Sequence, residues 1–272
     1  MSEPLVHPLS VSAHARGAVR IAAVIPARNE EERIAATIAA ARSVDGIDLV
    51  VVVDDGSTDQ TAAVARKAGA MVAAHPSARG KGEAMATGVK TLRHAGVDNY
   101  LLVFLDADLG ESAVHADALI APVVSGRAAM SIAVLPRATG DVGGHGFVLA
   151  LARDGIKRAT GREMAAPLSG QRCLTPAAFV AAEPLAAGWG VEVGLTIDVL
   201  RAGMDVLEVD VPFGHRVTGH DFGSQLHRAR QWRDVGRALA ARRIRPGMAA
   251  LPGPVRGMVS DLAGRLRRGG RS

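Results

Sequence analysis

Residues 49–53 form an unbroken apolar run, Leu-Val-Val-Val-Val, that stops at Asp54-Asp55-Gly56-Ser57. A strand that alternates apolar and polar residues has one wet face; a continuous run is buried on both faces, as in a parallel sheet covered by helices. Residues 21–25 repeat the pattern and end at Pro26, and residues 101–105 repeat it and end at Asp106. A shorter run at 72–74 reads as a further strand. Helical stretches are expected between them, over about 30–43, from near 59, and from Gly80-Lys81-Gly82 to about 94. Strand and helix in strict alternation predict an α/β fold with a mostly parallel central sheet joined by right-handed crossovers. Aromatic residues are only 3% of the chain while 48% is hydrophobic, so the core is built from Ala, Val, Leu and Ile, which suits such a sheet.

The second half is less regular. A strand is expected over 128–135, a glycine-rich loop over 139–147, a helix to about 160 and a loop over 167–172. A helix over 192–202, a strand over 206–211, a polar loop over 212–221 and a helix over 226–243 follow. This reading divides the chain into an arm over 1–20, one domain over 21–245 and a basic tail over 246–272. The formal charge of +5 is concentrated late, in Arg242, Arg243, Arg245, Arg256, Arg265, Arg267, Arg268 and Arg271 against Asp261. These read either as a solvated tail or as a foothold on anionic lipid or an acidic partner. No aromatic residues interleave with them to stack on bases, so nucleic acid is not an expected partner. Ala- and Gly-rich helices leave a homo-oligomer open. Cys173 is the single cysteine, which excludes an intrachain disulfide. With no signal-peptide pattern and no spanning apolar run, the expected location is cytoplasmic, with peripheral membrane contact left open.

Polar residues gather after three strands, at 26–30, 54–57 and 106–108. In an open α/β sheet these positions line the carboxyl edge, where ligands bind. Asp106-Ala107-Asp108 is the strongest signal. Two carboxylates one residue apart suit a hard divalent cation, Mg²⁺ or Mn²⁺, together with the ribose of a nucleotide. Such an ion neutralises a diphosphate leaving group. Alone, the tripeptide also fits a solvated turn. Within Asp54-Asp55-Gly56-Ser57-Thr58-Asp59, a carboxylate can accept the imide N–H of uracil, and Ser57 or Asp59 can cap the next helix. Pro26-Ala27-Arg28-Asn29-Glu30 can hold base and ribose. Lys81 between two glycines suits close approach to a diphosphate, although the string lacks the spacing and the following Ser or Thr of a P-loop.

In this order and at these strand ends, the strings resemble the family-2 type of GT-A glycosyltransferases. Further along, Gly80-Lys81-Gly82-Glu83-Ala84, Pro167-Leu168-Ser169-Gly170, the string from Gly188 to Leu195, Ile197-Asp198 and His215-Arg216 resemble the glucosyl-3-phosphoglycerate synthases of that type. The resemblance implies a metal-dependent transfer of glucose from a UDP-sugar with retention, to a small phosphorylated or carboxylated acceptor such as 3-phosphoglycerate. It implies that Pro26, Ala27, Arg28, Glu30 and Asp55 hold uridine, that Lys81 faces the diphosphate, and that Asp106 sits against ribose or sugar. Asp108 and His215 would bind the metal; Trp189, Gly190, Val191 and Glu192 would line the donor sugar, with Glu192 and Asp106 as the catalytic carboxylates. The acceptor is assigned to Gly143, Gly144, His145, Ser169 and Arg172. The acceptor loop departs from the pattern: Gly143-Gly144-His145-Gly146-Phe147 lacks its Arg and Thr, leaving His145 or Arg137 to compensate, and Val217 replaces an Asn.

His220 and His227 flank this region as lesser metal candidates, Asp198 is placed to pair with Arg201, and Trp232 reads as packing or a membrane-facing anchor. Two other functions compete. Ser169-Gly170-Gln171-Arg172 resembles the Ser-Gly-aromatic-Arg string of polyprenyl-phosphate glycosyltransferases, and the basic tail suits a membrane surface. A non-catalytic nucleotide-sugar-binding protein on the same fold is the third.

Overall fold

The computed structural model describes residues 20–97, 99–136, 145–214 and 222–244; of 145–146, 222–230 and 243–244 it describes only the helical backbone. The first half runs β1 (Ile21–Ala27), α1 (Ile34–Arg42), β2 (Ile47–Asp54), α2 (Thr61–Lys67), β3 (Met71–Ala74), α3 (Lys81–His94) and β4 (Leu101–Phe104). A 3-10 turn over Gly110–His115 leads into α4 (Ala116–Val124) and β5 (Met130–Val134). Then come α5 (His145–Thr160), β6 (Arg172–Leu174), α6 (Pro176–Ala182), α7 (Val191–Arg201), β7 (Val206–Asp210) and α8 (Phe222–Ile244).

The strands form one seven-stranded sheet in the order β3-β2-β1-β4-β6-β5-β7. β1 lies parallel between β2 and β4, with Val24 opposite Val51 on one side and Phe104 on the other. β6 alone runs backwards, antiparallel to both β4 and β5, with Cys173 opposite Val103 and Ser131. β5 and β7 are parallel. The mostly parallel α/β architecture expected from the apolar runs is therefore present. Chain order reverses direction across the sheet between β1 and β4, and the crevice at their carboxyl ends is where such sheets bind ligands.

Both faces of the sheet are covered. Ala22, Val24, Val51, Val53, Phe104, Met130 and Leu174 pack with residues of α3, α5, α6 and α7. Their neighbours in sequence, Ile21, Ala23, Ile25, Val50, Val52, Val103 and Cys173, pack with α1 and α4. Period-two alternation thus sends successive residues into two apolar layers, which explains why no polar residue interrupts the runs. Gly88 lets α3 lie on the first layer, since a side-chain carbon there would collide with Val24 and Val53.

The second half corrects the sequence expectation. Residues 167–172 were expected as a loop, but Arg172 opens β6. Three residues paired on both sides carry too little pattern to announce a strand. α4 and α6 also went unseen: α4 contains Pro122, an interior breaker by propensity, and α6 is only seven residues long. Asp198 on α7 pairs with the buried guanidinium of Arg242 on α8, whose Nε lies 2.9 Å from Asp198 Oδ2. That pair fixes the end of α8 against α7.

Apart from Arg20, the expected arm and tail lie outside the described residues, as do Arg137, Gly143, Gly144, His215, Val217 and His220. His145 and His227 are placed only as helix backbone. Among the described residues no helix is long and apolar enough to cross a membrane.

Candidate active site

The loops after β1 and β2 are stitched together at the carboxyl edge. Asn29 takes a left-handed φ of 56°, which turns its side chain back onto the second loop. Its N–H donates to Ser57 Oγ (3.0 Å), and its Oδ1 accepts from Thr58 N–H (2.8 Å). Glu30 N–H donates to Thr61 Oγ1 (2.8 Å), and Gln60 N–H to Glu31 Oε2 (2.8 Å). Asp54 Oδ1 accepts from Ser57 N–H, three residues on (2.9 Å). Asp59 takes both the N–H (2.9 Å) and the hydroxyl of Thr61, the first residue of α2. These polar groups therefore hold the loops in shape. Arg28 is exposed beside them, Pro26 and Glu30 are half-buried, and Ala27 is buried.

Asp55 is held within the protein: its Oδ1 meets His75 Nδ1 (2.7 Å) and accepts from Arg79 N–H (2.7 Å), while Oδ2 accepts from Gly80 N–H (2.8 Å). Burial would raise its carboxyl pKa, but the hydrogen bonds from Arg79, His75 and Gly80 outweigh that and hold it below the ordinary aspartate value. Asp55 thus clamps the segment that delivers Lys81. Gly80 is required there by its φ of 92°.

Lys81 is the centre of the site. Its Nζ lies 2.7 Å from Asp106 Oδ1 and 3.1 Å from Glu192 Oε1. Glu192 comes from the first turn of α7 and is buried, Asp106 follows β4, and Lys81 opens α3, so three separate elements converge. Burial would lower the lysine pKa, but the charges of Asp106 and Glu192, and hydrogen bonds to both, more than offset it and hold the ammonium above the ordinary lysine value. Glycines allow the convergence. A side-chain carbon on Gly82 would meet the carbonyl of Ala186, and one on Gly170 would overlap Lys81 Nζ and Asp106. Trp189 and Gly190 precede Glu192 in a 3-10 turn over Gly188–Gly190, with Trp189 half-buried and Gly190 and Val191 buried. Trp189 N–H donates to Asp234 Oδ2 (3.4 Å).

The turn at 106–108 is held from below. Thr37 on α1 is fully buried; its hydroxyl donates to Ala107 O (2.8 Å) and accepts from Gly110 N–H (2.8 Å). Arg33 donates to Asp108 O (3.3 Å). The Asp108 carboxylate is half-exposed and has no hydrogen bond or ion pair among the described residues. A hard anionic oxygen donor left unpartnered at a strand end fits Mg²⁺ or Mn²⁺. Among the described residues no three His, Cys, Asp or Glu side chains gather into a metal cluster. The expected partner His215 is outside the described residues; Gly214, the residue before it in sequence, donates its N–H to Ser112 Oγ (2.9 Å) in the turn that follows Asp108.

Thr37→Val, isosteric but without the hydroxyl, is expected to cost about 1–3 kcal/mol, because Ala107 O and Gly110 N–H lose their shared partner. Urea unfolding measures that loss, and an unchanged midpoint would show that the turn is held elsewhere.

Arg172 is corrected outright as an acceptor ligand. It is fully buried: Nε donates to Ser169 O (2.8 Å), Nη1 to Thr196 Oγ1 (2.8 Å) and Nη2 to Pro167 O (3.1 Å). Burial pushes its pKa down to about 10, against the charges of Glu192 and Glu208, so it stays a cation at neutral pH. Each of its three nitrogens donates inside the protein, and full burial leaves an acceptor no path to it. Ser169 is also buried, its hydroxyl donating to Gln171 Oε1 (3.1 Å). Three residues escaped the sequence reading: Thr37, His75 and Gln171, whose Nε2 donates to Asp106 Oδ2 (2.5 Å). Gln171 had a weak signal, its place within the quoted Ser-Gly-Gln-Arg string. Thr37 and His75 had none, being single polar residues among apolar or loop neighbours.

Residues 22–151 match the profile of glycosyl transferase family 2. The glucosyl-3-phosphoglycerate synthase of Mycolicibacterium paratuberculosis is 31% identical over 210 residues, 69% of this chain and 62% of that protein. The chain thus spans about three fifths of the length of the curated synthases it matches. Among solved structures, the glucosyl-3-phosphoglycerate synthase of Mycobacterium tuberculosis in complex with Mn²⁺, UDP and phosphoglyceric acid superposes with a TM-score of 0.65 at 29% identity, covering 84% of this chain and 80% of that one. The same enzyme with Mn²⁺, UDP and glucosyl-3-phosphoglycerate gives 0.64 at 30% identity, covering 82% and 80%.

Proposed function

The chain belongs to glycosyl transferase family 2, of GT-A fold, and from that we propose that it transfers a hexose from a UDP-sugar to a small phosphorylated or carboxylated acceptor. Glucose with retention of configuration, and 3-phosphoglycerate as acceptor, are the specific assignments. The observation that carries the reading is Lys81 bound between Asp106 and Glu192 at the carboxyl edge, with the Asp108 carboxylate, two residues after Asp106, unpartnered among the described residues. The ligands present in the Mycobacterium tuberculosis structures support the same substrates.

In this reading the backbone edge at 26–30, with Arg28 and Glu30, receives uridine, and Asp55 shapes that pocket through the segment it clamps. Lys81 presents a fixed positive charge toward the diphosphate. Asp108, with His215 as the further ligand, would hold Mg²⁺ or Mn²⁺, whose charge would offset that of the departing diphosphate. Asp106 and Glu192 place negative charge where the anomeric carbon becomes electron-poor, and the ammonium between them fixes their positions before the reaction begins. Retention needs no separate protein base. The acceptor hydroxyl forms its bond to the anomeric carbon on the face from which the phosphate oxygen leaves, and that oxygen takes the hydroxyl proton. The protein's contribution is alignment and a prearranged field.

The test is UDP release from a panel of UDP-sugars, with and without 3-phosphoglycerate or polyprenyl phosphate, in Mn²⁺ and in EDTA. The expected result is metal-dependent release from UDP-glucose that 3-phosphoglycerate accelerates. Release stimulated only by polyprenyl phosphate, or none with any donor, would overturn the assignment. The buried fork of Arg172 counts against the polyprenyl-phosphate alternative, since it is not available to a lipid phosphate.

A further inference from the structure

Lys81 approaches only one oxygen of Asp106, leaving the carboxylate free to rotate unless the other oxygen is held. Gln171 holds it. Its Nε2 lies 2.5 Å from Asp106 Oδ2, and its own Oε1 accepts from the buried hydroxyl of Ser169 at 3.1 Å. Gln171 is itself buried, so water does not compete for its amide. An amide rotor presents its N–H₂ and its oxygen on opposite sides; the Ser169 hydroxyl, donating to the oxygen, fixes which side faces Asp106. The segment carrying Gln171 is anchored as well. Arg172 ties Pro167 and Ser169 to Thr196 on α7, and Gly170 has no side-chain carbon to push the Lys81–Asp106 pair apart.

We propose that Gln171 is a positioning residue for the transfer reaction: set by Ser169, it locks the Asp106 carboxylate in the plane that faces the donor. It touches no reacting atom and acts through Asp106 alone. The proposal rests on the glycosyltransferase reading. It also divides the acidic pair: Asp106 has a protein partner on each oxygen, whereas Asp108 is left for the cation.

Gln171→Met keeps length and volume and removes the donor. Calorimetric titration of UDP-glucose in Mn²⁺ is expected to show about tenfold weaker binding, the size of one hydrogen bond to a charged group. The same substitution in an Asp106→Ala background is expected to change affinity by less than about twofold, since the group it positions is gone. Gln171→Asn, which withdraws the amide by one methylene, is expected to behave as Gln171→Met, so the result does not hinge on one variant; thermal unfolding of each shows that it is folded. Unchanged affinity in the single variants, or an equal loss in both backgrounds, would overturn the proposal while leaving the family function standing. A wild-type protein that binds no UDP-glucose would overturn the functional reading, and this proposal with it.

Discussion

Lys81→Met is expected to lower donor transfer by roughly 10²–10³-fold, the usual consequence of removing one preorganised electrostatic group. It is also expected to destabilise the fold by about 3–5 kcal/mol. The two effects share one cause. Glu192 is buried, and the lysine ammonium at 3.1 Å is its cation. Removing the ammonium leaves that buried carboxylate without its partner, and leaves Asp106 facing it across the same gap. Breaking a buried pair costs far more than the pair contributes relative to two apolar residues, because the remaining charge keeps its desolvation penalty. Lys81→Arg is expected to restore little, since a planar fork does not fit where a compact ammonium bridges two carboxylates. Because the Lys81 pKa is raised on folding, its contribution to stability is complete at neutral pH and fades only above about pH 10, the unfolded lysine value. Kinetics and urea unfolding on the same preparations measure both effects; full activity in Lys81→Met would remove the lysine from the site.

Asp108→Ala is expected to separate function from stability in the opposite way. Its carboxylate has no partner among the described residues and is half-exposed, so the unfolding midpoint should move by no more than about 0.5 kcal/mol, as for an ordinary surface substitution. Transfer should fall by roughly 10³-fold, because the diphosphate then departs without a neutralising cation. The backbone of the turn remains, since Thr37 and Arg33 hold it through Ala107, Asp108 and Gly110 main-chain atoms. A large loss of stability in this variant would mean that Asp108 is structural.

The contrast between these two residues shows what the sequence could and could not reveal. The strands of the first half were legible because burial on both faces of a parallel sheet demands unbroken apolar runs, and the polar strings at their ends marked the ligand edge. β6 was illegible because three residues clamped between β4 and β5 need no pattern of their own; their neighbours dictate the pairing. That one missed strand hid most of the supporting network. Arg172 was assigned to the acceptor, but in a central strand it is a buried cation tying loop to helix. Lys81, Asp106 and Glu192 could each be named from local strings. Their ion pairs could not, because the segments lie far apart in sequence and meet only through the topology. Asp55 shows the limit most clearly: the residue was picked out, but its partners His75, Arg79 and Gly80 follow from where β3 ends beside β2.

The central claim is that a nucleotide diphosphate is received at the edge between β1 and β4 with a divalent cation beside Asp108. Calorimetric titration of UDP into the wild-type protein, first with Mn²⁺ and then with EDTA, tests it most directly. Saturable one-to-one binding in Mn²⁺ that is lost in EDTA and absent from Asp108→Ala is the result expected. Binding of equal strength with and without the metal, or undiminished in Asp108→Ala, would contradict it.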